Sequence, residues 1–179
     1  MKIKPETTRS PSSFPSFQPH ITLATSPDAA ALRAALPSDQ RAIPIRFKSL
    51  EVGDQYFMSV FVAVHSQPGT RLETLREHLR ATLGAGVVPP LAHMSLYYID
   101  EADKEERERT AQRLRSELRV LEGGSGQDSF VKLACFDDDI EGEQDPEVID
   151  GFEGQEIWLI NCDGPVSGWE VIERFPLMK

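Results

Sequence analysis

Basic residues are missing from one whole stretch of this chain. Residues 137–156 hold ten Asp or Glu and no Lys or Arg, and outside them 19 acidic residues face 19 basic ones. The net charge of -10 is therefore local, which argues against tracking along a polyanion but leaves room for a single phosphate site. Cysteine is scarce too. Cys135 and Cys162 are the only two, with no CxxC and no short Cys/His spacing, so they read as buried, reduced thiols rather than a disulfide framework or a zinc module. No apolar run approaches the roughly 20 residues of a membrane span, and "MKIKPETTRSPSSFPSF" lacks the apolar region of a secretory signal. A soluble, cytoplasmic, monomeric protein is expected, with neither a membrane nor a long nucleic acid as partner.

The 179 residues suffice for one domain with a proper core. Residues 1–19, rich in Pro and Ser, read as a flexible lead-in, and 20–179 as the domain. "HITLAT" is the first strand candidate. Ser26 then caps a helix with Pro27 at its first position and Asp28 in its first turn, running to about Leu36. "AIPIRFKSLEV" and "YFMSVFVAVH" flank Gly53-Asp54 as paired antiparallel strands. Leu72, Leu75, Leu79 and Leu83 recur at helical spacing. "HMSLYYI" is a strand, and a charged helix from Asp100 brings Leu114, Leu118 and Leu121 to one face. "FVKLACF", "EIWLIN" and "GWEVIERFPL" close the chain as strands, with 137–156 as a long acidic loop. The class is α+β with mostly antiparallel pairing.

Two short segments repeat one arrangement. "FQPHITLATS" and "LAHMSLYYID" each carry histidine, any residue, hydroxyl residue, leucine, and each is followed by a helix. Strand alternation puts His20 and Thr22 on one face and Ile21 and Leu23 on the other, and it treats His93 and Ser95 against Met94 and Leu96 in the same way. Each imidazole then lies about 6.6–7 Å along the strand from its hydroxyl partner. Facing each other across a cleft, the four side chains would surround something small, anionic and rich in oxygen. Two histidines, each titrating near pH 6.5 when unperturbed, can take a proton from a nucleophile and give one to a leaving group. The hydroxyls can donate to oxygens that gain charge in the transition state. This is acid-base chemistry at phosphorus that needs no metal or other cofactor. Tyr97 falls on the His93 face and is a candidate to stack on a base or ribose.

"PHITLATS" and "AHMSLYY" resemble the paired H-x-[ST]-hydrophobic motifs of the 2H phosphoesterases, and most of all the fungal and plant 2',3'-cyclic-nucleotide 3'-phosphodiesterases. The C-terminal "GQEIWLINCDGPVSGWEVIERF" is similar to the same branch. The resemblance implies a bilobal fold, two antiparallel sheets with outer helices facing a central cleft. It implies His20 and His93 as the catalytic pair and Thr22 and Ser95 as phosphate holders. The implied substrates are small cyclic phosphate nucleotides: nucleoside 2',3'-cyclic phosphates, and ADP-ribose 1'',2''-cyclic phosphate, a by-product of tRNA splicing. Water attacks phosphorus in line and a 2'-phosphate remains. His93 is assigned as base and His20 as acid, although the pseudo-symmetry of the motifs makes the two interchangeable on sequence alone. Only 19 loosely patterned residues precede His20 where the family usually has a strand and a helix, so the first lobe is incomplete or closed by another segment.

Rival readings have less behind them. A non-catalytic module binding RNA ends or cyclic nucleotides would use Thr22, Ser95 and Tyr97 but would tolerate loss of either histidine. A 2',5'-RNA ligase or 3'-end exonuclease of the same superfamily would need a wider basic groove. Asp137, Asp139, Glu141 and Gly142 match positions 1, 3, 5 and 6 of a calcium loop, but Val148 stands at position 12, where a bidentate Glu is required. His65 and His78 have no partner at metal-ligand spacing, and Trp158 and Trp169 read as packing residues.

Overall fold

The computed structural model describes residues 4–135 and 146–179. Its centre is the antiparallel pair flanking Gly53. β1 (Ile43–Val52) alternates buried Ile43, Ile45 and Phe47 with exposed Pro44, Arg46 and Lys48, whereas β2 (Val60–Val64) is buried throughout. Val at every second position, with Phe61 and Ala63 between, fills both faces of such a covered strand. Between them, a Cβ at Gly53 would lie 2.3 Å from the Met58 carbonyl oxygen, so the turn admits only glycine. β3 (His93–Tyr97) pairs with the other edge of β2, and β7 (Gly151–Gly154) with the first half of β1, giving the order β3-β2-β1-β7. Beside β1 lies a second sheet of β4 (Val120–Gly123), β5 (Phe130–Cys135) and β6 (Glu147–Ile149), and β8 (Glu156–Asn161) with β9 (Glu170–Pro176) forms a separate hairpin. Every ladder between these strands is antiparallel, so the α+β class expected from sequence is observed.

Helices complete the core. α2 (Arg71–Leu83) buries Leu72, Leu75 and Leu79, starts where Thr70 Oγ1 accepts from Glu73 N, and stops at Gly84. α3 (Glu105–Ser116) buries Ala111 and Leu114, which meet Val60, Val62, Phe47 and Val131 in one cluster. Among the described residues no helix is long and apolar enough to cross a membrane.

Several sequence expectations give way to tertiary structure. "HITLAT" forms a single bridge, Ile21 with Met94, instead of a ladder, because Thr25 N already bonds the Val87 carbonyl and draws the segment away from β3. α1 (Ala29–Ala34) is capped by Asp28, whose carboxylate accepts from Ala31 N, while Ser26 Oγ accepts from Asp28 N one turn earlier. α3 ends before Leu118, which has φ 54° and is 66% exposed; the chain turns there into β4, a strand the helical reading of Leu118 and Leu121 had hidden. Of the acidic loop, 147–156 instead supplies β6, β7 and the start of β8. Residues 137–145, with the calcium-like positions, lie outside the described residues, and Val148 stands within β6. Cys162 is exposed and Cys135 half-buried, and both are free thiols.

The described part of the lead-in, residues 4–19, contains neither helix nor strand, yet it is fastened. The Asp103 carboxylate accepts from Arg9 N (2.7 Å), Ser10 N (3.0 Å) and Ser13 Oγ (2.7 Å). Phe14 is buried and donates its N–H to the Tyr98 carbonyl.

Candidate active site

The Ile21–Met94 bridge is antiparallel. Its register sets His20 opposite Ser95 and Thr22 opposite His93, with all four on the face away from Ile21 and Met94. Opposed residues in such a pair have Cβ atoms about 4.5–5.5 Å apart, and diagonal ones about 7–8 Å. The two histidines are diagonal partners, so both rings can reach one tetrahedral group between them. On the other side of β3, Ala63 pairs with His93 and Phe61 with Ser95, which fixes the floor of the site. Phe61 meets the His93 ring edge-on at 5.1 Å.

Both imidazoles are anchored alike. His20 Nδ1 lies 2.7 Å from the Gln18 carbonyl and His93 Nδ1 lies 3.1 Å from the Leu91 carbonyl, in each case two residues back. A carbonyl only accepts, so each Nδ1 carries a proton and donates it, which leaves Nε2 as the nitrogen that can exchange protons with a substrate. The repeat seen in sequence thus extends to tautomer and ring orientation.

The hydroxyl partners differ. Thr22 is half-buried, whereas Ser95 is 4% exposed. Ser95 Oγ donates to the Phe57 carbonyl at 2.8 Å and is hydrogen-bonded to the Tyr98 hydroxyl. To donate to a phosphate oxygen, Ser95 must turn from the Phe57 carbonyl. Tyr97 does not line an open face. It is 8% exposed, edge-on to Phe14 at 5.7 Å, and part of the core. The cause is a register shift between Val60 and Phe61, which breaks the alternation of β3 just after Ser95.

Tyr98 is buried too, at 3% exposed, and backs an aromatic cluster beside His20. It stacks on Phe17 (4.2 Å, 12°) and touches Tyr56, Phe57 and Trp169. Burial, with smaller contributions from Cys162 and Tyr56, outweighs the Ser95 hydrogen bond and pushes the phenol up to about 12, so Tyr98 stays a neutral hydroxyl at physiological pH. Trp169 lies 6.4 Å from the His20 ring and 5.7 Å from Phe57, and Phe57 is 51% exposed. Sequence reading missed this aromatic basin beside His20. Trp169 follows the hairpin turn far along the chain, and no local pattern ties it to the first motif.

His65 and His78 act as tethers, placing Nε2 2.9 Å from the Ser129 carbonyl and 3.0 Å from the Ala35 carbonyl respectively. Among the described residues no group of three or more His, Cys, Asp or Glu side chains could hold a metal ion.

Two His-x-[Ser/Thr] segments lie side by side on an antiparallel α+β frame, the arrangement expected of a 2H phosphoesterase site. Residues 90–177, from just before the second motif to the end of the last strand, match the family model described as cyclic phosphodiesterase-like protein. No curated protein matches the chain.

Proposed function

We propose that the protein hydrolyses nucleoside 2',3'-cyclic phosphates to 2'-phosphates, and ADP-ribose 1'',2''-cyclic phosphate to the 1''-phosphate, by acid-base catalysis from its two histidines. The observation that carries this reading is the register of the Ile21–Met94 bridge, which brings both motifs to one face with like-anchored imidazoles. A cyclic diester needs one proton removed from water and one delivered to the departing oxygen, and the two Nε2 atoms supply both functions. The phosphate sits between Thr22 and Ser95, and the base lies on Phe57 and Trp169, which the buried Tyr98 backs. Chemistry of this kind fits a role in clearing by-products of tRNA splicing in a two-lobed cytoplasmic enzyme.

His93 serves as base and His20 as acid. In the pH profile of kcat/KM, the acidic limb reports the base and the alkaline limb the acid. His20→Ala is expected to remove the alkaline limb and His93→Ala the acidic one, each with a loss of about a hundredfold or more. Phosphorus NMR on 2',3'-cyclic AMP, reading turnover and the oxygen that keeps the phosphate, tests the reaction itself. Full activity in either alanine variant would remove that histidine from the mechanism. Turnover is expected to be indifferent to EDTA, and a loss restored by a divalent ion would replace this mechanism with a metal-assisted one.

A further inference from the structure

A cavity of about 510 Å³ opens beyond His93, on the side away from the aromatic basin. Its floor continues the catalytic face. Strand alternation places Leu91 and His65 one row on from His93 and Ala63, and the shift between Phe47 and Ser49 turns Lys48 onto the same face. All three of Leu91, His65 and Lys48 line the cavity. One row of a strand pair is about 6.6–7 Å, so the cavity begins within a sugar's reach of the phosphorus.

Its charge is positive in a chain that is strongly negative overall. Glu73 and Arg80 line one wall, and Arg76 stands directly behind it, bonding Glu73 Oε2 through Nε and the Pro89 and Pro90 carbonyls through Nη2. Burial raises the Glu73 carboxyl, but hydrogen bonds from Ser66 and Arg80 and the charges of Arg76 and Arg80 outweigh it and hold the group below the usual carboxylate range. One carboxylate thus faces two guanidinium groups. Arg76 is buried, and its Nη1 has no partner among the described residues. Lys48 adds a third cation with no ion pair among them. Gln67 and Gln127 line the mouth and supply amide N–H donors, and His65 is fixed by its bond to the Ser129 carbonyl. A surplus of cations and neutral donors, one step from a phosphate site, suits a second phosphate on the same ligand.

We propose that this cavity is a second anion subsite, which takes a phosphate group carried on the 5' oxygen of the ribose whose cyclic phosphate lies between the histidines. The inference rests on the proposed hydrolase reading. It makes cyclic nucleotides that carry a 5'-phosphate better substrates than nucleosides with a free 5'-hydroxyl.

The test compares kcat/KM for adenosine 2',3'-cyclic phosphate with and without a 5'-phosphate, in the unmodified protein, Lys48→Ala and Lys48→Arg. A charge-assisted contact of this kind predicts a preference of about tenfold or more for the 5'-phosphorylated substrate. The preference should collapse in Lys48→Ala, through a loss on that substrate, and should persist in Lys48→Arg. Equal kcat/KM for the two substrates, or an equal loss on both in Lys48→Ala, overturns the subsite and leaves the hydrolase reading standing. If neither substrate turns over, the hydrolase reading falls and calorimetry with adenosine 5'-phosphate decides the subsite alone. Binding that Lys48→Ala weakens about tenfold supports it; no binding, or binding indifferent to the substitution, overturns it.

Discussion

Trp169 carries no proton in the proposed reaction, yet it joins His20 to the exposed ring of Phe57 and to Tyr98. Stacking a base on such a ring is worth about 1–3 kcal/mol, so Trp169→Ala is expected to raise KM for 2',3'-cyclic AMP about tenfold with a smaller change in kcat, read by steady-state kinetics. Asp103 supports a pH prediction of a different kind. The backbone N–H of Arg9, set against an opposing effect of burial and helped by Ser13 and Ser10, holds its carboxyl below the usual range. The folded value thus lies below the unfolded one. The clasp is fully present above the unfolded value and is lost as pH falls through the folded one. Hydrogen exchange at the amides of Arg9 and Ser10 should stay slow, once corrected for intrinsic rates, down through pH 4 and lose protection only in stronger acid. Asp103→Asn should lose that pH dependence and melt earlier. At this scale His20, Thr22, His93 and Ser95 were legible because a two-residue period fixes faces from local sequence alone. Tyr98 was not, since the irregularity after Ser95 depends on how β2 meets β3.

Elements were most legible where one strong period covered many residues. The leucines of α2 and the alternation of β1 leave no second solution, and Gly53 marks the turn between β1 and β2. The short acidic strands β6 and β7 carried no such signal, and what admits β7 is a missing side chain. A Cβ on Gly151 would fall 2.0 Å from the Ile45 carbonyl oxygen. Gly151→Val should therefore separate β7 from β1 at a cost of about 1–3 kcal/mol, seen as a Tm drop of about 2–4 °C per kcal/mol for a protein of this size. Thr70, Arg71, Leu72 and Glu73 spell a capping box, but only half of it forms. Thr70 Oγ1 accepts from Glu73 N, while the Glu73 carboxylate turns to Arg76 and Arg80. Thr70→Ala should thus cost about 1 kcal/mol through the cap alone, measurable by denaturant unfolding.

For the whole molecule, charge decides what kind of ligand is served. Outside residues 137–156 acids and bases balance, and Lys48 and Arg80 place cations in the cavity beside the site. A protein neutralising 6–10 phosphates loses about 10³–10⁵ in affinity between 50 and 200 mM salt. Here KM for a cyclic mononucleotide should change far less over that range, and a steep salt dependence would point to a polymeric substrate. The lead-in has the opposite character, with no chemistry of its own. It is bolted at Asp103, Tyr98 and Phe14 to the part of the chain that directly follows His93 and Ser95, and Phe17 stacks on Tyr98 three residues before His20. A tether of that kind does the work of a spacer. If the two rings act as proposed, a protease nick or a deletion ahead of Phe14 would leave every reacting group in the molecule and still act as a catalytic lesion, by slackening the gap between them.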